Sequence, residues 1–420
     1  MYWTNLTGKK IGIWGIGREG VSAKAALQRH CKNISVIELS EDNLAEISGC
    51  DVLIKSPGVS LYRPEIQDAI QNGIIVTSAT NLFLANTKAR VIAVTGTKGK
   101  STTSSLLTHT LKTLGQQVEL GGNIGRPLTD LADTDADFVV AELSSYQCAD
   151  LTGHPDIGIL VNLYPEHLQW HGSHARYYQD KWHLIEQSRQ PVLNRKDDKT
   201  HAFATDLTAT WFNDTAGIHL QDGTFYDGQT PLFARGLLSL IGEHNAENAC
   251  AVLTVIKLLR LDLTACASAF QTFQALPHRL QTIGNQNGIT YVDDSISTTP
   301  ETAIAGLKSL YHGQDITLIA GGLDRGQDFT ELVRFMTLHK EKMRLVTLPD
   351  TGKHLAAEAS QHGIEVSPTS DMPTAVSVAQ HITPNGGTIL LSPAAPSYNL
   401  YPNFEARGDD FKRWAFKTQK

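Results

Sequence analysis

The stretch Val91-Ile-Ala-Val-Thr-Gly-Thr-Lys-Gly-Lys-Ser-Thr102 joins an apolar, β-branched run to a glycine-containing turn and a polar helix start. Residues 91–95 are typical of a buried strand, and residues 101–111 have the apolar spacing of a helix. The turn is the short Gly-x-x-Gly-Lys-Ser form of a phosphate-binding loop, because Val94 stands where the full pattern has another glycine. Backbone N–H groups of such a loop face phosphates, its lysine adds positive charge, and its hydroxyl can ligate Mg²⁺. The stretch therefore predicts a site for ATP or GTP, formed by Gly96, Thr97, Lys98, Gly99, Lys100, Ser101 and Thr102.

Length and composition indicate a globular protein of several domains. The chain has 420 residues, 41% of them hydrophobic and 19% charged, and domains of about 150 residues would make it about three domains long. A net charge of -7 disfavours a nucleic-acid partner. The five cysteines are scattered and form no Cys-x-x-Cys pair, which favours reduced thiols in a cytoplasmic protein. No run approaches the ~18 apolar residues of a membrane span, so we expect no membrane association.

Residues 1–88 are predicted to form a small parallel α/β domain with strands at 10–14, 34–38, 51–55 and 74–77. Its first turn, Gly15-Ile-Gly-Arg-Glu-Gly20, has the GxGxxG spacing of a dinucleotide site, and Glu38 follows at the end of the next strand. The domain is too short for the second half that a dinucleotide needs, so a smaller phosphate-bearing ligand is favoured over a nicotinamide cofactor. The tripeptide Ser56-Pro-Gly58 follows the third strand and is either a further ligand contact or a plain turn.

Residues 89–276 are predicted to form the second domain, around the phosphate-binding loop. A strand at 137–143 carries Glu142 near its end, where a carboxylate beside such a loop can hold Mg²⁺. His167 follows the next strand and is a second ligand or a buried hydrogen-bonding group. Lys181 lies in a helical stretch whose charges, read locally, indicate a solvated face. A β-rich segment at 190–235 precedes a long helix, whose Asn245 and Asn248 share one face and either cap it or bind a base edge.

Residues 277–420 are predicted to form a second Rossmann-like sheet, with strands at 289–292, 316–320, 345–348 and 388–391. Its special loops, 293–300, 321–326 and 392–398, follow strand ends at the ligand edge of an open parallel sheet. Arg325 in the second of these loops either grips a carboxylate or forms a surface salt bridge. The predicted fold class is therefore α/β in three domains: N-terminal Rossmann-like, central P-loop ATPase-like parallel sheet with a β-rich lobe, and C-terminal Rossmann-like.

Over essentially the whole chain these motifs resemble those of the Mur ligases of peptidoglycan synthesis. The likeness is strongest to the MurD-type branch, which adds glutamate to UDP-N-acetylmuramoyl-L-alanine. The motifs that carry it are Thr-Gly-Thr-Lys-Gly-Lys-Ser, Gly-Gly-Asn-Ile-Gly, Glu-Leu-Ser-Ser-Tyr-Gln, Pro-Glu-His, Glu-His-Asn-x-x-Asn, Leu-Pro-His-Arg, Asp-Asp-Ser, Gly-Gly-Leu-Asp-Arg-Gly and Leu-Ser-Pro-Ala-Ala-Pro-Ser, in that order.

The resemblance implies ATP and two Mg²⁺ ions as cofactors and assigns roles to matching positions. Ser101 and Glu142 would hold one Mg²⁺, and His167 with a carbamylated Lys181 the other, which overrules the solvated-face interpretation of Lys181. Nucleotide contacts would come from Asn245, Asn248, Arg279 and Asp294. Substrate contacts would come from Gly15, Gly17, Arg18, Ser56, Pro57, Gly58, Asn123, Thr298, Arg325, Ser397, Tyr398 and Phe404.

One departure bears on the amino acid that is added. In the usual D-glutamate ligases the third-domain loop reads Asp-Ser-Lys-Ala-Thr-Asn, whereas Ile296 stands here in place of that lysine. A charged hydrogen bond is worth roughly 1.5–3 kcal/mol, so its loss implies a rebuilt amino-acid pocket. This loop, the Trp-Gly-Ile-Gly-Arg-Glu-Gly opening at 14–20 and Trp170-His-Gly172 are similar to a divergent subfamily that adds L-glutamate before a separate epimerase acts.

The resemblance implies amide formation through an acyl phosphate, with domain closure around the substrates, in a monomeric cytoplasmic enzyme. The D-glutamate ligase is the alternative within the family. Folylpolyglutamate synthase shares the central domain but lacks a first domain of this kind. A nicotinamide oxidoreductase built on the 15–20 loop and a non-catalytic nucleotide-binding relative are the alternatives outside it.

Overall fold

The computed structural model describes residues 1–164, 168–205 and 207–417, which contain three β-sheets. The first sheet has four parallel strands in the order β2-β1-β3-β4. These strands are β1 (Lys10–Trp14), β2 (Ser35–Leu39), β3 (Val52–Lys55) and β4 (Ile75–Ser78). Helices α1 (Arg18–His30), α2 (Pro64–Gln71) and α3 (Ala79–Asn86) connect them, with short 3₁₀ turns at Trp3–Leu6 and Leu44–Gly49. Ile11 and Ile13 pack into one apolar cluster and Trp14 into another, so both faces of the sheet are covered.

The second sheet has nine strands in the order β13-β12-β11-β10-β9-β8-β5-β7-β6. They are β5 (Arg90–Thr95), β6 (Val118–Gly122), β7 (Phe138–Glu142), β8 (Ile157–Leu160), β9 (Gln190–Asn194), β10 (Thr210–Phe212), β11 (Ile218–Gln221), β12 (Thr224–Asp227) and β13 (Thr230–Ala234). The helices are α4 (Lys100–Thr113), α5 (Ser145–Cys148), α6 (Leu168–His171), α7 (His174–Gln187), α8 (Asp198–Phe203), α9 (Glu243–Leu258) and α10 (Cys266–Thr272), with 3₁₀ turns at Leu128–Leu131 and Arg235–Leu237. Only the last three strands, β11 to β13, pair in antiparallel fashion.

Strand β5 determines where this sheet can bind a ligand. It pairs with β7 on one side and β8 on the other, both in parallel, so the connections after β5 and β8 run to opposite sides. A crevice forms where the strand order reverses in this way, and ligands of open parallel sheets bind there. The loop that follows β5, residues 96–99, lies at this point.

The third sheet has six strands in the order β14-β15-β19-β16-β17-β18. They are β14 (Gln281–Gln286), β15 (Ile289–Asp293), β16 (Ile316–Ala320), β17 (Met343–Thr347), β18 (Glu365–Pro368) and β19 (Thr388–Leu391). Helices α11 (Pro300–Leu310), α12 (Thr330–Leu338), α13 (Gly352–Gln361), α14 (Met372–Ile382) and α15 (Phe404–Ala415) cover it. All pairs are parallel except β14 with β15.

The chain divides into two compact units. One comprises Met1–Ser239 with His244–Phe273 and contains the first two sheets; the other comprises Leu240–Glu243 with Gln274–Lys420 and contains the third. The first two sheets share a unit because one apolar cluster runs from α1 and α3 to β7, as Leu27, Phe83 and Val139 show. The domain boundaries after residues 88 and 276 remain predictions from the sequence.

The α/β fold class and the predicted strands of all three sheets are confirmed, with ends shifted by up to two residues. Strands β6, β14 and β18 were not predicted, and the β-rich segment predicted at 190–235 supplies β9–β13, which lie in the central sheet. All five cysteines are buried and free, as expected. No helix within the described ranges is long and apolar enough to cross a membrane.

A buried ion pair at the end of β3 provides a test of this packing. Lys55 Nζ lies 3.0 Å from Asp150 Oδ2, with side chains only 1% and 8% exposed. The substitution Lys55→Met leaves the Asp150 carboxylate buried without its cation, so urea unfolding should show a loss of about 3–5 kcal/mol. The control Lys24→Met removes a pair with Glu38 that is 37% and 47% exposed, and should cost less than about 1 kcal/mol. Equal losses would contradict the packing described here.

Candidate active site

The phosphate-binding loop is held in shape by residues from the neighbouring strand. Asn162, just after β8, accepts a hydrogen bond from the backbone N–H of Lys98 (N···Oδ1 2.9 Å) and donates one to the Lys98 carbonyl (3.1 Å). The Thr97 hydroxyl lies 2.9 Å from the Tyr177 hydroxyl and accepts a hydrogen bond from the backbone N–H of Tyr164. Sequence analysis missed both residues, because the pairing of β5 with β8 brings Asn162 to the loop and the packing of α7 brings Tyr177 there.

Two lysines meet at one carbonyl oxygen of this loop. The Nζ atoms of Lys100 and Lys181 donate to the Gly96 carbonyl oxygen over 2.9 and 2.8 Å, and Lys100 also donates to the Thr97 carbonyl. Lys181 is 2% exposed, so the local expectation of a solvated face was wrong and the role implied by the resemblance fits the burial. The Lys100 ammonium group, at a glycine-containing helix start, creates a positive site for phosphate oxygens.

Glu142 lies at the end of β7, beside the loop strand, and is fully buried. Its Oε1 accepts a hydrogen bond from Asn123 Nδ2 over 2.8 Å, but its Oε2 receives none from any described residue. A buried carboxylate oxygen without a donor is costly unless a cation or water satisfies it. Register places Glu142 opposite Val94, two residues before Gly96, and Ser101 is buried in the first turn of α4.

This donor set fits Mg²⁺. A carboxylate oxygen and a hydroxyl are hard ligands, and Mg²⁺ keeps several waters and substrate oxygens instead of a full protein cage. The described residues contain no cluster of three or more His, Cys, Asp and Glu side chains. His167, predicted as a ligand of the second ion, lies outside the described residues.

Asn245 and Asn248 lie on one face at the start of α9, joined by a hydrogen bond from Asn248 Nδ2 to Asn245 Oδ1 of 3.3 Å. Asn248 abuts the phosphate-binding loop, because a Cβ added to Gly99 would lie 2.7 Å from its Oδ1. It belongs to the second turn of the helix and is therefore not a cap. Gly99 also has a φ of +81°, which favours glycine.

The loops of the first sheet meet a loop of the second. Arg18 donates to the carbonyl oxygens of Gly122 and Gly125 over 2.6 and 3.2 Å, which places residues 15–20 beside the loop that carries Asn123. The Ser56 hydroxyl donates to the Gly15 carbonyl, so the 56–58 loop joins the same edge. The first sheet has four strands, as expected for a domain without the second half of a dinucleotide fold. A Cβ added to Gly17 or Gly58 would meet no described atom within 4 Å, and Pro57 accepts a hydrogen bond from Trp170.

The second unit gathers the remaining predicted residues at the strand ends of its own sheet. Asp294 is buried and accepts hydrogen bonds from Ser297 and Ser392 and from the backbone N–H of Leu280. Burial raises the pKa of its carboxyl to about 6. Thr298 and Ile296 are half-buried in the same loop, and the backbone N–H of Ile296 donates to the carbonyl of His278, which precedes Arg279 in the chain.

Arg325 and the 397–404 segment complete this group. The exposed Arg325 guanidinium lies 5.8 Å from the ring centre of Tyr398, and the described residues supply no carboxylate within ion-pair distance of it. Ser397 is buried, and the Phe404 ring meets the His278 ring edge-on. Arg407, which sequence analysis did not single out, donates to Ser295 Oγ and to the carbonyl oxygens of Ser295 and Ala395.

Comparisons with known proteins identify the family of this chain. A family model described as Mur ligase middle domain matches residues 94–256, and one described as Mur ligase, glutamate ligase domain, matches residues 278–395. The chain belongs to the Mur ligase family.

Two relatives are named UDP-N-acetylmuramoyl-L-alanine--L-glutamate ligase. One, from a Micromonospora species, is 36% identical over 97% of this chain and 96% of its own length. The other, from Xanthomonas euvesicatoria pv. vesicatoria, is 35% identical over 98% and 96%. The crystal structure of MurF ligase from Thermotoga maritima in complex with ADP matches the fold with a TM-score of 0.61, at 16% identity, over 97% of this chain and 95% of that one.

The Gly99 contact predicts a specific effect on nucleotide binding. Gly99→Ala forces a side chain into a left-handed backbone position and against Asn248, so we expect nucleotide affinity measured by calorimetry to fall at least ten-fold. Gly115→Ala is the matched control, because Gly115 has a φ of +80° but no described atom within 4 Å of its Cβ position. It should lower stability by about 1 kcal/mol and leave the affinity unchanged. Similar affinities for both variants would contradict the contact.

The burial of Glu19 should make the stability of the folded chain depend on pH. Its carboxylate accepts a hydrogen bond from Gln147, and burial raises its pKa from 4.5 to about 7, opposed by Arg18 and Lys55. The folded chain therefore binds a proton that the unfolded chain releases, and the stability that this proton contributes is lost as the pH rises from 4.5 to about 7. Glu19→Gln keeps the acceptor for Gln147 but cannot ionise, so its Tm should fall less than that of the parent between pH 5.5 and pH 8. The exposed Glu46→Gln serves as control and should follow the parent; a Glu19 variant that also followed it would contradict the assignment.

Proposed function

We propose that this protein is an ATP-dependent ligase that adds L-glutamate to UDP-N-acetylmuramoyl-L-alanine in peptidoglycan precursor synthesis. The observation that carries the proposal is the edge of the central sheet, where Lys100 and Lys181 meet at Gly96 and Glu142 keeps one buried oxygen without a donor. A cationic loop next to an acid of this kind suits phosphoryl transfer from ATP with Mg²⁺. The relatives named above support the choice of substrates.

The reaction has two steps. The alanyl carboxylate attacks the γ-phosphate of ATP, which gives an acyl phosphate and ADP. The glutamate amine then attacks the acyl carbon, an amide bond forms, and inorganic phosphate leaves with the loss of a proton from the amine. No side-chain nucleophile is required, so the residues act by positioning and by stabilising charge.

Each residue at the central edge has a role in this scheme. The N–H groups of residues 96–101 and the Lys100 ammonium neutralise charge on the transferring phosphoryl group. Ser101 and Glu142 would hold the nucleotide Mg²⁺, which lowers the charge repulsion between the carboxylate and the phosphate. Lys181 in carbamylated form, with His167, would hold a second ion. Asn248 and Asn245 would meet the nucleotide, as would Arg279 and Asp294 of the second unit.

The UDP part of the substrate would be bound at the first sheet. Gly17 and Gly58 would offer backbone N–H groups to a diphosphate, since those of Gly15 and Ser56 donate within the sheet and Pro57 has none. Arg18 holds the 15–20 loop to the one that carries Asn123. Glutamate would be bound in the second unit, by Arg325, Thr298 and the 397–404 segment. We expect a cytoplasmic, monomeric enzyme that closes on its substrates, with an epimerase acting on its product.

The stereochemistry of glutamate is tested by phosphate release from ATP, Mg²⁺ and UDP-N-acetylmuramoyl-L-alanine, with L- and D-glutamate supplied separately. We expect turnover with L-glutamate only, because Ile296 cannot supply the charged hydrogen bond of the D-glutamate enzymes. Turnover with D-glutamate only would identify the alternative ligase and make Ile296 a tolerated change. The absence of phosphate release with either amino acid would overturn the assignment of glutamate as substrate.

The role of Lys181 is tested by Lys181→Ala. We expect turnover to fall by about 10²–10³-fold or more, because the carbamate that would hold the second Mg²⁺ is lost, and bicarbonate should not restore it. Lys199→Ala removes an exposed lysine of α8 and should leave turnover unchanged. Full activity of the Lys181 variant would rule out the metal assignment.

A further inference from the structure

A buried chain of hydrogen bonds next to the proposed active site has no part in the scheme above. The Tyr62 hydroxyl donates to Asp180 Oδ1 over 2.5 Å, and Asp180 Oδ2 lies 2.5 Å from His171 Nδ1. The other ring nitrogen, Nε2, lies 2.9 Å from Ser145 Oγ. Ser145, His171 and Asp180 are 2%, 1% and 5% exposed.

The sequence of contacts Ser–His–Asp is that of a hydrolase triad, but the burial of these three side chains argues against a role in hydrolysis. A nucleophilic hydroxyl must reach its substrate, whereas Ser145 is enclosed in the first turn of α5. Each oxygen of the Asp180 carboxylate already receives a short hydrogen bond, which is what a buried carboxylate needs to be stable. The chain therefore fixes the relative positions of the segments it joins.

Helix α7 is the segment that the chain fixes most directly. Tyr177, Asp180 and Lys181 lie three and four residues apart, so they share one buried face of the helix. Tyr177 contacts the Thr97 hydroxyl and Lys181 the Gly96 carbonyl, both in the phosphate-binding loop. Asp180 thus anchors the same helical turn that places Lys181 Nζ.

The other end of the chain reaches the loops of the first sheet. Burial and the hydrogen bond to Asp180 raise the pKa of Tyr62, so its hydroxyl remains a donor at physiological pH. Trp170, next to His171, donates its indole N–H to the Pro57 carbonyl over 3.1 Å, and its own carbonyl accepts a hydrogen bond from Ser60. The proposed diphosphate loop and the helix of Lys181 are therefore joined through Trp170, His171 and Asp180.

We propose that Tyr62, His171 and Asp180 are positioning residues for the ligation reaction: they hold the turn of α7 that places Lys181 at the phosphate-binding loop, and they tie it to the 56–62 segment of the first sheet. The proposal rests on the role of Lys181 given above. His171 and Asp180 touch neither nucleotide nor amino acid in this scheme, so their loss should affect the rate and not the binding of substrates.

The test compares Tyr62→Phe, Asp180→Asn and the double variant with the parent enzyme. We expect kcat to fall about 10–100-fold, while KM for ATP and for UDP-N-acetylmuramoyl-L-alanine changes less than about three-fold. The double variant should be no slower than the slower single variant, since both changes break one chain. Tyr62→Phe removes a single oxygen, so it keeps the test available if Asp180→Asn does not fold.

Ser22→Ala is the matched control. The Ser22 hydroxyl also joins the first two sheets, through Thr129 and Asp130, but it contacts no residue of α7. Its kcat should equal that of the parent. An equal loss of kcat in Ser22→Ala and Tyr62→Phe would overturn the proposal, because it would mean that general loosening between the sheets is the cause.

A measurement without turnover completes the test. In CO₂-free buffer, in which Lys181 carries a free amine and not a carbamate, labelling by an amine-reactive reagent followed by mass spectrometry should modify Lys181 at least ten-fold faster in Tyr62→Phe than in the parent, relative to the exposed Lys199. Unchanged labelling together with unchanged kcat would refute the positioning role. A different result would refute the proposed function alone: the parent protein shows no ligation, yet Lys181 is labelled faster in Tyr62→Phe than in that parent.

Discussion

The central constraint in this molecule is that two lysine side chains, those of Lys100 and Lys181, are held at a single backbone carbonyl, that of Gly96. Lys100 reaches it from the helix that follows the loop, and Lys181 from a helix about eighty residues later in the chain. Long, flexible lysine side chains lose entropy when fixed in this way. Three sets of interactions offset this cost. They are the parallel pairing of β5 with β7 and β8, the hydrogen bonds from Asn162 to the loop, and the contacts of α7.

Local patterns predicted most of the fold because buried parallel strands are short apolar runs between turns, and most strands here have that form. Strand β14, Gln281–Gln286, escaped prediction because it is polar, contains a glycine and pairs at an edge. Strand β18, Glu365–Pro368, is a short edge strand that ends in proline. Neither has the continuous apolar pattern that burial on both faces produces.

The candidate site was predicted where a motif is contiguous in sequence and missed where tertiary contacts define it. The loop 96–101 follows a strand and Glu142 ends one, and both consist of residue types that bind phosphate or Mg²⁺. The local charge pattern, in contrast, indicated a solvated face for Lys181, because the groups that Lys181 Nζ contacts, Thr95 and Gly96, lie about 85 residues earlier in the chain. Asn162 and Arg407 likewise have no local signal, since each acts through backbone groups of distant segments.

Arg407 also bears on how the sequence of the loop around position 296 can evolve. Two of its three hydrogen bonds go to the carbonyl oxygens of Ser295 and Ala395, and these groups are present whatever side chains the two loops carry. The loop backbone is thus supported independently of the side chain at position 296. A change of side chain at position 296 during descent therefore leaves these supporting hydrogen bonds in place, so the residue there can vary in single steps without loss of the loop scaffold.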